Sequence, residues 1–308
     1  MELLVRDIRL EADDVLSVGL VDPTGADLPE WTPGAHVDLV LTGGVERQYS
    51  LCSDPADRSC WRVAVLRERG GRGGSRFVHE RLRPGDVVTA RGPVNTFALV
   101  PAREYVLVAG GIGITPILPM VRALTRAGAR WRLAYLGRRA AGMAFTADPL
   151  LAGAELFVSE QDRRADLAAW IGEVAEGTAV YACGPRPMLD ELESLRAGWP
   201  KGTLHMERFQ PLAVPADRVD GSFVVECGRS GRTLVVEPGR SILACAEEAG
   251  LPVVSSCREG VCGTCETRVL DGVVEHRDSI LSPDEREAGE TLMICVSRAT
   301  SPQLVLDI

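Results

Sequence analysis

Two kinds of hydrophobic pattern divide the chain. Over the first hundred residues short apolar runs recur at His36–Leu41, Arg47–Leu51, Trp61–Arg67 and Asp86–Ala90. Pro33-Gly34, Gly43-Gly44, Gly70–Gly74 and Pro84-Gly85 punctuate them. Strand-length runs with frequent turn residues predict an antiparallel barrel or sandwich. Near Pro101 the pattern changes. The apolar runs Tyr105–Ala109, Trp131–Leu136, Leu156–Ser159 and Ala179–Ala182 now alternate with helical stretches, one ending near Ala127 and others at Arg163–Ala175 and Pro185–Ala197. Strands alternating with helices predict a parallel sheet covered on both faces. Gln210–Asp220 holds two prolines and few large apolar residues, as an inter-domain linker does. Two short strands follow, Ser222–Glu226 and Thr233–Val236, then a helix, Ile242–Ala249. The expected organisation is a β domain over 1–100, an α/β domain over 101–210, a linker over 211–220 and a smaller domain over 221–308.

Bulk properties narrow the class. The 308 residues suffice for two or three ordinary cores. The longest uncharged stretch, Tyr105 to Val121, contains three glycines and two prolines, which excludes it as a membrane span. Charges at Glu2, Arg6 and Asp7 come too early for a secretory leader, so a cytoplasmic protein is expected. The net charge of −9 is uneven: residues 221–308 carry 8 basic and 14 acidic side chains. An acidic surface repels nucleic acid and can steer a basic protein partner, or serve solubility alone. The four histidines, His36, His79, His205 and His276, form no metal-spaced pair.

Of the nine cysteines, Cys257, Cys262, Cys265 and Cys295 fit C-x4-C-x2-C…C, the spacing of a plant-type [2Fe–2S] ligand set. Zinc or disulfides are the alternatives, but zinc ribbons favour paired short spacings. Gly260, Gly263 and Thr264 let the backbone curl and aim N–H groups at sulfurs. The remaining five, Cys52, Cys60, Cys183, Cys227 and Cys245, are an odd set that argues against a disulfide framework. Four of them read as small buried hydrophobes.

Cys183 belongs to Tyr181-Ala-Cys183-Gly184-Pro185 at a strand end, where open α/β sheets bind ligands. The plain alternative is a buried structural cysteine. Gly110-Gly-Ile-Gly113-Ile-Thr115-Pro116 follows another strand and opens a helix, a setting for phosphate or for a tight turn alone. It is not G-x-G-x-x-G, because Pro116 takes the third glycine's place. Arg47-Gln-Tyr49-Ser50 puts Arg47 and Tyr49 on one strand face, a fork for phosphate beside a ring for a flat heterocycle. Gly70–Arg76 precedes an expected helix, Phe77–Leu82, and offers a second anion site or a flexible loop.

Arg47-x-Tyr49-Ser50, Gly110–Pro116, Tyr181–Pro185 and the four cysteines, in that order along the chain, resemble the phthalate dioxygenase reductase family, within the ferredoxin–NADP reductase superfamily, over essentially the whole chain. The resemblance implies three domains: an antiparallel β-barrel that binds flavin, an α/β nucleotide domain, and an α+β ferredoxin-like β-grasp domain. It implies that Arg47, Arg67 and the Gly73-Gly74-Ser75 turn hold a flavin phosphate, and that Tyr49 lies along the flavin ring. It further implies that Ser50 hydrogen-bonds near the reacting flavin nitrogen, and that Gly111, Gly113 and Thr115 bind the pyridine nucleotide. Cys183 and Gly184 would border the nicotinamide, Phe209 would shield the other flavin face, and Glu207 is a further candidate. Ser50 and Cys183 are the expected catalytic residues, and the four cysteines the metal ligands. The implied cofactors are FMN (alternatively FAD), a [2Fe–2S] cluster and NADH. Arg138 and Arg139 after Trp131–Leu136 favour NADPH on physical grounds. The implied function is an NADH-dependent electron-transfer reductase serving a Rieske-type or haem oxygenase; a monomer with no nucleic-acid or membrane partner is expected. The rivals are a redox-sensing or binding protein with a degenerate flavin domain, and an oxygenase itself, for which no Rieske, haem or two-His-one-carboxylate set is present.

Overall fold

The computed structural model describes residues 1–41, 45–71, 73–161, 164–211 and 220–308. They divide into two compact units, Met1–Glu207 and Arg208–Ile308. The barrel and parallel-sheet halves therefore pack as one body, and the expected break at 210 falls three residues earlier. Most of the expected linker, 212–219, and Arg72 of the Gly-rich turn lie outside the described residues.

The barrel uses β1 (Glu2–Ala12), β2 (Val15–Val21), β3 (His36–Leu41), β4 (Val45–Ser50), β5 (Trp61–Leu66) and β6 (Val87–Val94). Their order is β4-β3-β6-β1-β2-β5, all antiparallel. Just past β4, a bridge from Leu51 to Val63 joins the two edge strands and closes the sheet. Leu3, Leu20, Leu39, Leu51 and Trp61 fill the interior. Between β5 and β6 lies α1 (Gly74–Glu80). It begins three residues before the expected Phe77, because Gly73, at φ 90°, makes the left-handed turn that starts it.

The second half orders β7 (Glu104–Gly110), β8 (Arg130–Gly137), β9 (Glu155–Val158), β10 (Thr178–Cys183) and β11 (Leu204–Glu207) as a parallel sheet, β11-β10-β7-β8-β9. Alternate residues of β7 face opposite layers. Leu107 and Ala109 pack with Ile117 and Val121 of α2 (Ile114–Arg126), whereas Val106 and Val108 pack with Leu167 and Ile171 of α3 (Leu167–Ile171) and Leu189 and Leu192 of α4 (Arg186–Leu195). The expected helix Arg163–Ala175 is shorter in the structure. The Asp166 side chain caps the Ala169 N–H, and Gly172, at φ 64°, ends the helix. Tyr181 of β10 joins the two halves: its hydroxyl accepts from the Val100 N–H (2.7 Å) and donates to the Ala98 carbonyl (2.8 Å).

The second unit is a mixed sheet, β13-β12-β18-β14-β16, formed by β12 (Phe223–Cys227), β13 (Thr233–Val236), β14 (Glu266–Asp271), β16 (Thr291–Met293) and β18 (Gln303–Leu306). β15 (Val274–Glu275) and β17 (Arg298–Ala299) pair separately. Ile242, Leu243 and Ala246 of α5 (Ile242–Glu248) are buried in its core. The cysteine-rich loop joins α5 to β14, and Cys295 lies two residues past β16. A short α6 (Pro283–Ala288) is held by a Ser282/Glu285 capping box. Among the described residues, no helix is long and apolar enough to cross a membrane.

Candidate functional site

In the barrel, Arg47 and Gly74 are built around each other. A Cβ on Gly74 would lie 2.6 Å from Arg47 Cγ and 3.0 Å from its Nε, so only glycine lets the arginine cross the start of α1. This gathers a guanidinium and the turn's backbone, the cradle a phosphate needs. Ser75 Oγ accepts from the Glu68 N–H (3.1 Å) and pins the loop. Arg67 stands just past β5, in an exposed 2.7 Å ion pair with Glu80. Tyr49 is partly buried on β4, and burial pushes its phenol up to about 12, so it stays neutral.

Ser50 ends the same strand, and the fold brings it to the C-terminal ends of β10 and β11. Cys183 pairs in register with Glu207 on one side and Ala109 on the other. The Ser50 hydroxyl is hydrogen-bonded to the Glu207 carboxyl. The Cys183 thiol lies 4.0 Å from Glu207 Oε2. Burial raises the Glu207 pKa to about 8, only partly offset by Ser50, so the carboxyl holds a proton near neutral pH. Cys183 is fully buried, and its thiol is pushed well above its usual range, first by burial and then by Glu207. It is thus a neutral wall, not a thiolate nucleophile.

The two Gly-rich turns meet at the point where strand order reverses between β7 and β10, the crevice of open α/β sheets. A Cβ on Gly113 would lie 2.2 Å from the Cys183 carbonyl oxygen, and one on Gly184 2.9 Å from Gly110 Cα. Gly110, unremarked beyond its place in the motif, also packs on Pro185; a Cβ there would lie 2.5 Å from Pro185 Cδ. The signal for it was the glycine pair itself. Gly111 takes φ 54° with open space at its Cβ position. Thr115 is buried, and its hydroxyl donates to the Ile112 carbonyl (2.9 Å), so it shapes the turn. Beside the turns runs a cleft of about 570 Å3 bordered by Gly110, Gly111, Arg138, Arg139, Ser159 and Pro185. Arg138 is paired with Glu160 (3.0 Å) and Arg139 with Asp13 (3.2 Å). Phe209 is exposed and falls in the second unit.

In the second unit the four cysteines link in sequence, Cys262 to Cys257, Cys257 to Cys295, and Cys295 to Cys265. Three are buried and Cys257 is partly exposed. Hydrogen bonds from their cysteine neighbours push Cys257 and Cys265 toward the thiolate, the N–H groups of Glu259 and Val261 reinforce this at Cys257, and the donating Cys262 and Cys295 are pushed up in return. Gly260 (φ 71°) and Gly263 (φ 76°) make the loop's left-handed turns. Among the described residues no three ligating groups gather as one ion requires. Two adjoining thiol pairs suit a two-iron cluster, whose soft metals take thiolates.

Comparison with known proteins agrees. Residues 225–300 match the model of the 2Fe-2S iron-sulfur cluster binding domain. The chain is 41% identical to phenoxybenzoate dioxygenase subunit beta of Ectopseudomonas oleovorans, covering 100% of this chain and 97% of that one. It is 38% identical to phthalate dioxygenase reductase of Burkholderia cepacia, covering 96% and 94%. A solved phthalate dioxygenase reductase superposes with a TM-score of 0.72 at 37% identity, covering 100% of this chain and 98% of that one. An intact type IV self-sufficient cytochrome P450 monooxygenase superposes at 0.90 and 40% identity over 100% of this chain, which spans only 41% of that longer one.

Proposed function

The chain belongs to the phthalate dioxygenase reductase family, and from that membership we infer that it is the NADH-dependent reductase component of an oxygenase system. One observation carries this reading: an end-to-end match to oxygenase reductases in a chain whose four cysteine thiols are linked as two adjoining pairs. A flavin held by these residues would supply the conversion between two-electron transfer from a reduced nicotinamide and one-electron transfer to a [2Fe–2S] cluster, which neither partner alone can do.

The residues fit these groups. Arg47 and the Gly73-Gly74-Ser75 turn would hold the flavin phosphate; a site that ends there favours FMN over FAD. Arg67 would have to leave Glu80 to join them. Tyr49 would lie along the ring. Gly111, Gly113 and Gly184 leave room for a nucleotide backbone to approach, and Thr115 supports them from beneath. Ser50, Cys183 and Glu207 would border the reacting centre: Glu207 keeps a proton there, Ser50 orients it, and Cys183 excludes water. Arg138 and Arg139 form exposed ion pairs with Glu160 and Asp13, which cost little to break; the choice of NADH rests on the family membership. Cys257, Cys262, Cys265 and Cys295 would hold the cluster. The acidic second unit suits a basic face on a terminal oxygenase. A monomer is the proposed state.

Purified protein should show flavin and cluster absorbance, release FMN on denaturation and reduce cytochrome c faster with NADH than with NADPH. A protein that stays colourless after cluster reconstitution and oxidises neither nucleotide would overturn this reading.

A further inference from the structure

Beneath the cysteine loop lies a buried polar group that the relay itself does not use. Asp278 is 0% exposed. Its Oδ2 accepts from the N–H groups of Ile280 (3.1 Å) and Leu281 (2.9 Å). Its Oδ1 accepts from the Ser297 hydroxyl (3.4 Å) and lies 3.7 Å from His276 Nδ1. Arg286 approaches Oδ2 at 3.9 Å and donates to the Asp278 carbonyl at 2.7 Å. Burial favours the neutral acid, but these donors and the Arg286 charge outweigh it and keep Asp278 a carboxylate.

Both cysteine segments rest on this residue. Gly260, between Cys257 and Cys262, presses on it: a Cβ there would lie 3.0 Å from Asp278 Cα and 2.6 Å from Val296 Cγ2. The Gly260 carbonyl accepts from the Ser279 N–H (2.8 Å). Ser297, two residues past Cys295 and fully buried, accepts from the Arg277 N–H (3.2 Å) while donating to Asp278. Asp278 thus backs the turn under the first three cysteines through its Cα and the next residue's N–H, while its carboxylate holds the segment after Cys295 through Ser297.

We propose that Asp278 is a positioning residue for the cluster, clamping the Cys257–Cys265 loop to the Cys295 segment and biasing the cluster toward its oxidised state. A fixed negative charge in a poorly solvated interior opposes the arrival of an electron. The Arg286 guanidinium, 3.9 Å from Oδ2, tempers this field. At an effective dielectric of about 20, a unit charge within about 12 Å changes the reduction equilibrium by about tenfold.

The test uses holoprotein, an EPR-monitored redox titration and the rate of chelator-driven cluster loss. D278N keeps the shape and removes the charge. Its cluster should reduce about tenfold more readily, about 59 mV more positive for one electron, and be lost at least threefold faster. S297A keeps the charge and breaks the tie to the Cys295 segment, so it should lose cluster at least threefold faster with its reduction equilibrium within threefold of wild type. A D278N equilibrium within threefold of wild type would overturn the electrostatic claim. Wild-type chelator resistance in both variants would overturn the clamp. Were D278N not to fold, as judged by circular dichroism, S297A alone would decide the clamp and D278E, which keeps the charge, should restore a wild-type equilibrium; a D278E cluster shifted tenfold would overturn the proposal.

Discussion

Glu207→Gln is the most informative single change in the first unit. The native carboxyl sits at about 8 against an ordinary 4.5, because burial penalises its charged form more than Ser50 favours it. Its native state therefore holds a proton that the unfolded chain has already lost. The sign follows from linkage: stability falls as pH rises from about 4.5 to about 8 and is flat on either side. The full shift would be worth about 5 kcal/mol. Glu207 keeps part of its surface, so solvent screening and relaxation reduce this to about 2 kcal/mol. Glutamine has no proton to lose, so the two proteins should match near pH 4.5 and diverge by about 2 kcal/mol above pH 8, with E207Q the more stable. All five tryptophans, Trp31, Trp61, Trp131, Trp170 and Trp199, lie in the first unit, so their fluorescence reports its urea unfolding without the second. Parallel stability curves for the two proteins from pH 4.5 to 9 would show that Glu207 is not held protonated by burial.

Three other changes probe separate parts. Gly74→Val drives a side chain into Arg47 and should weaken flavin retention at least tenfold, measured by equilibrium dialysis, with cluster absorbance unchanged. Gly113→Ala puts a methyl group 2.2 Å from the Cys183 carbonyl, and urea unfolding should register a loss of about 1–3 kcal/mol in the first unit. Tyr181→Phe strips both hydrogen bonds to the Ala98–Val100 segment and leaves that backbone unpaired, a loss of about 1–3 kcal/mol by the same assay.

Much of this was legible where glycine and cysteine punctuate the chain. The C-x4-C-x2-C spacing is local, so its ligand set could be read directly from the sequence. The turns at Gly110–Gly113 and Gly184 mark sites of close backbone approach, which spacing alone suggests and the 2.2–2.9 Å clearances explain. The Ser50, Cys183 and Glu207 grouping was only partly legible. Their closeness depends on strand order, β10 lying between β7 and β11, and on a barrel edge reaching the same crevice. Strand β11, four residues long, is too brief to carry a pattern, which left Glu207 without a structural setting. The Arg163–Ala175 helix was overextended because apolar spacing persists past Gly172, where backbone geometry ends the helix. Asp278 reads as one more acidic residue in an acidic domain until its burial is seen.

The relay itself is tested most directly by replacing Cys262 with serine. Holoprotein and C262S are mixed with NADH, flavin bleaching is followed by stopped flow, and cytochrome c reduction is measured on the same samples. Flavin bleaching should run at the wild-type rate in both, and cytochrome c reduction should be lost in C262S alone. Full cytochrome c reduction by C262S, with its cluster absent, would contradict the cluster's place as the exit of the chain.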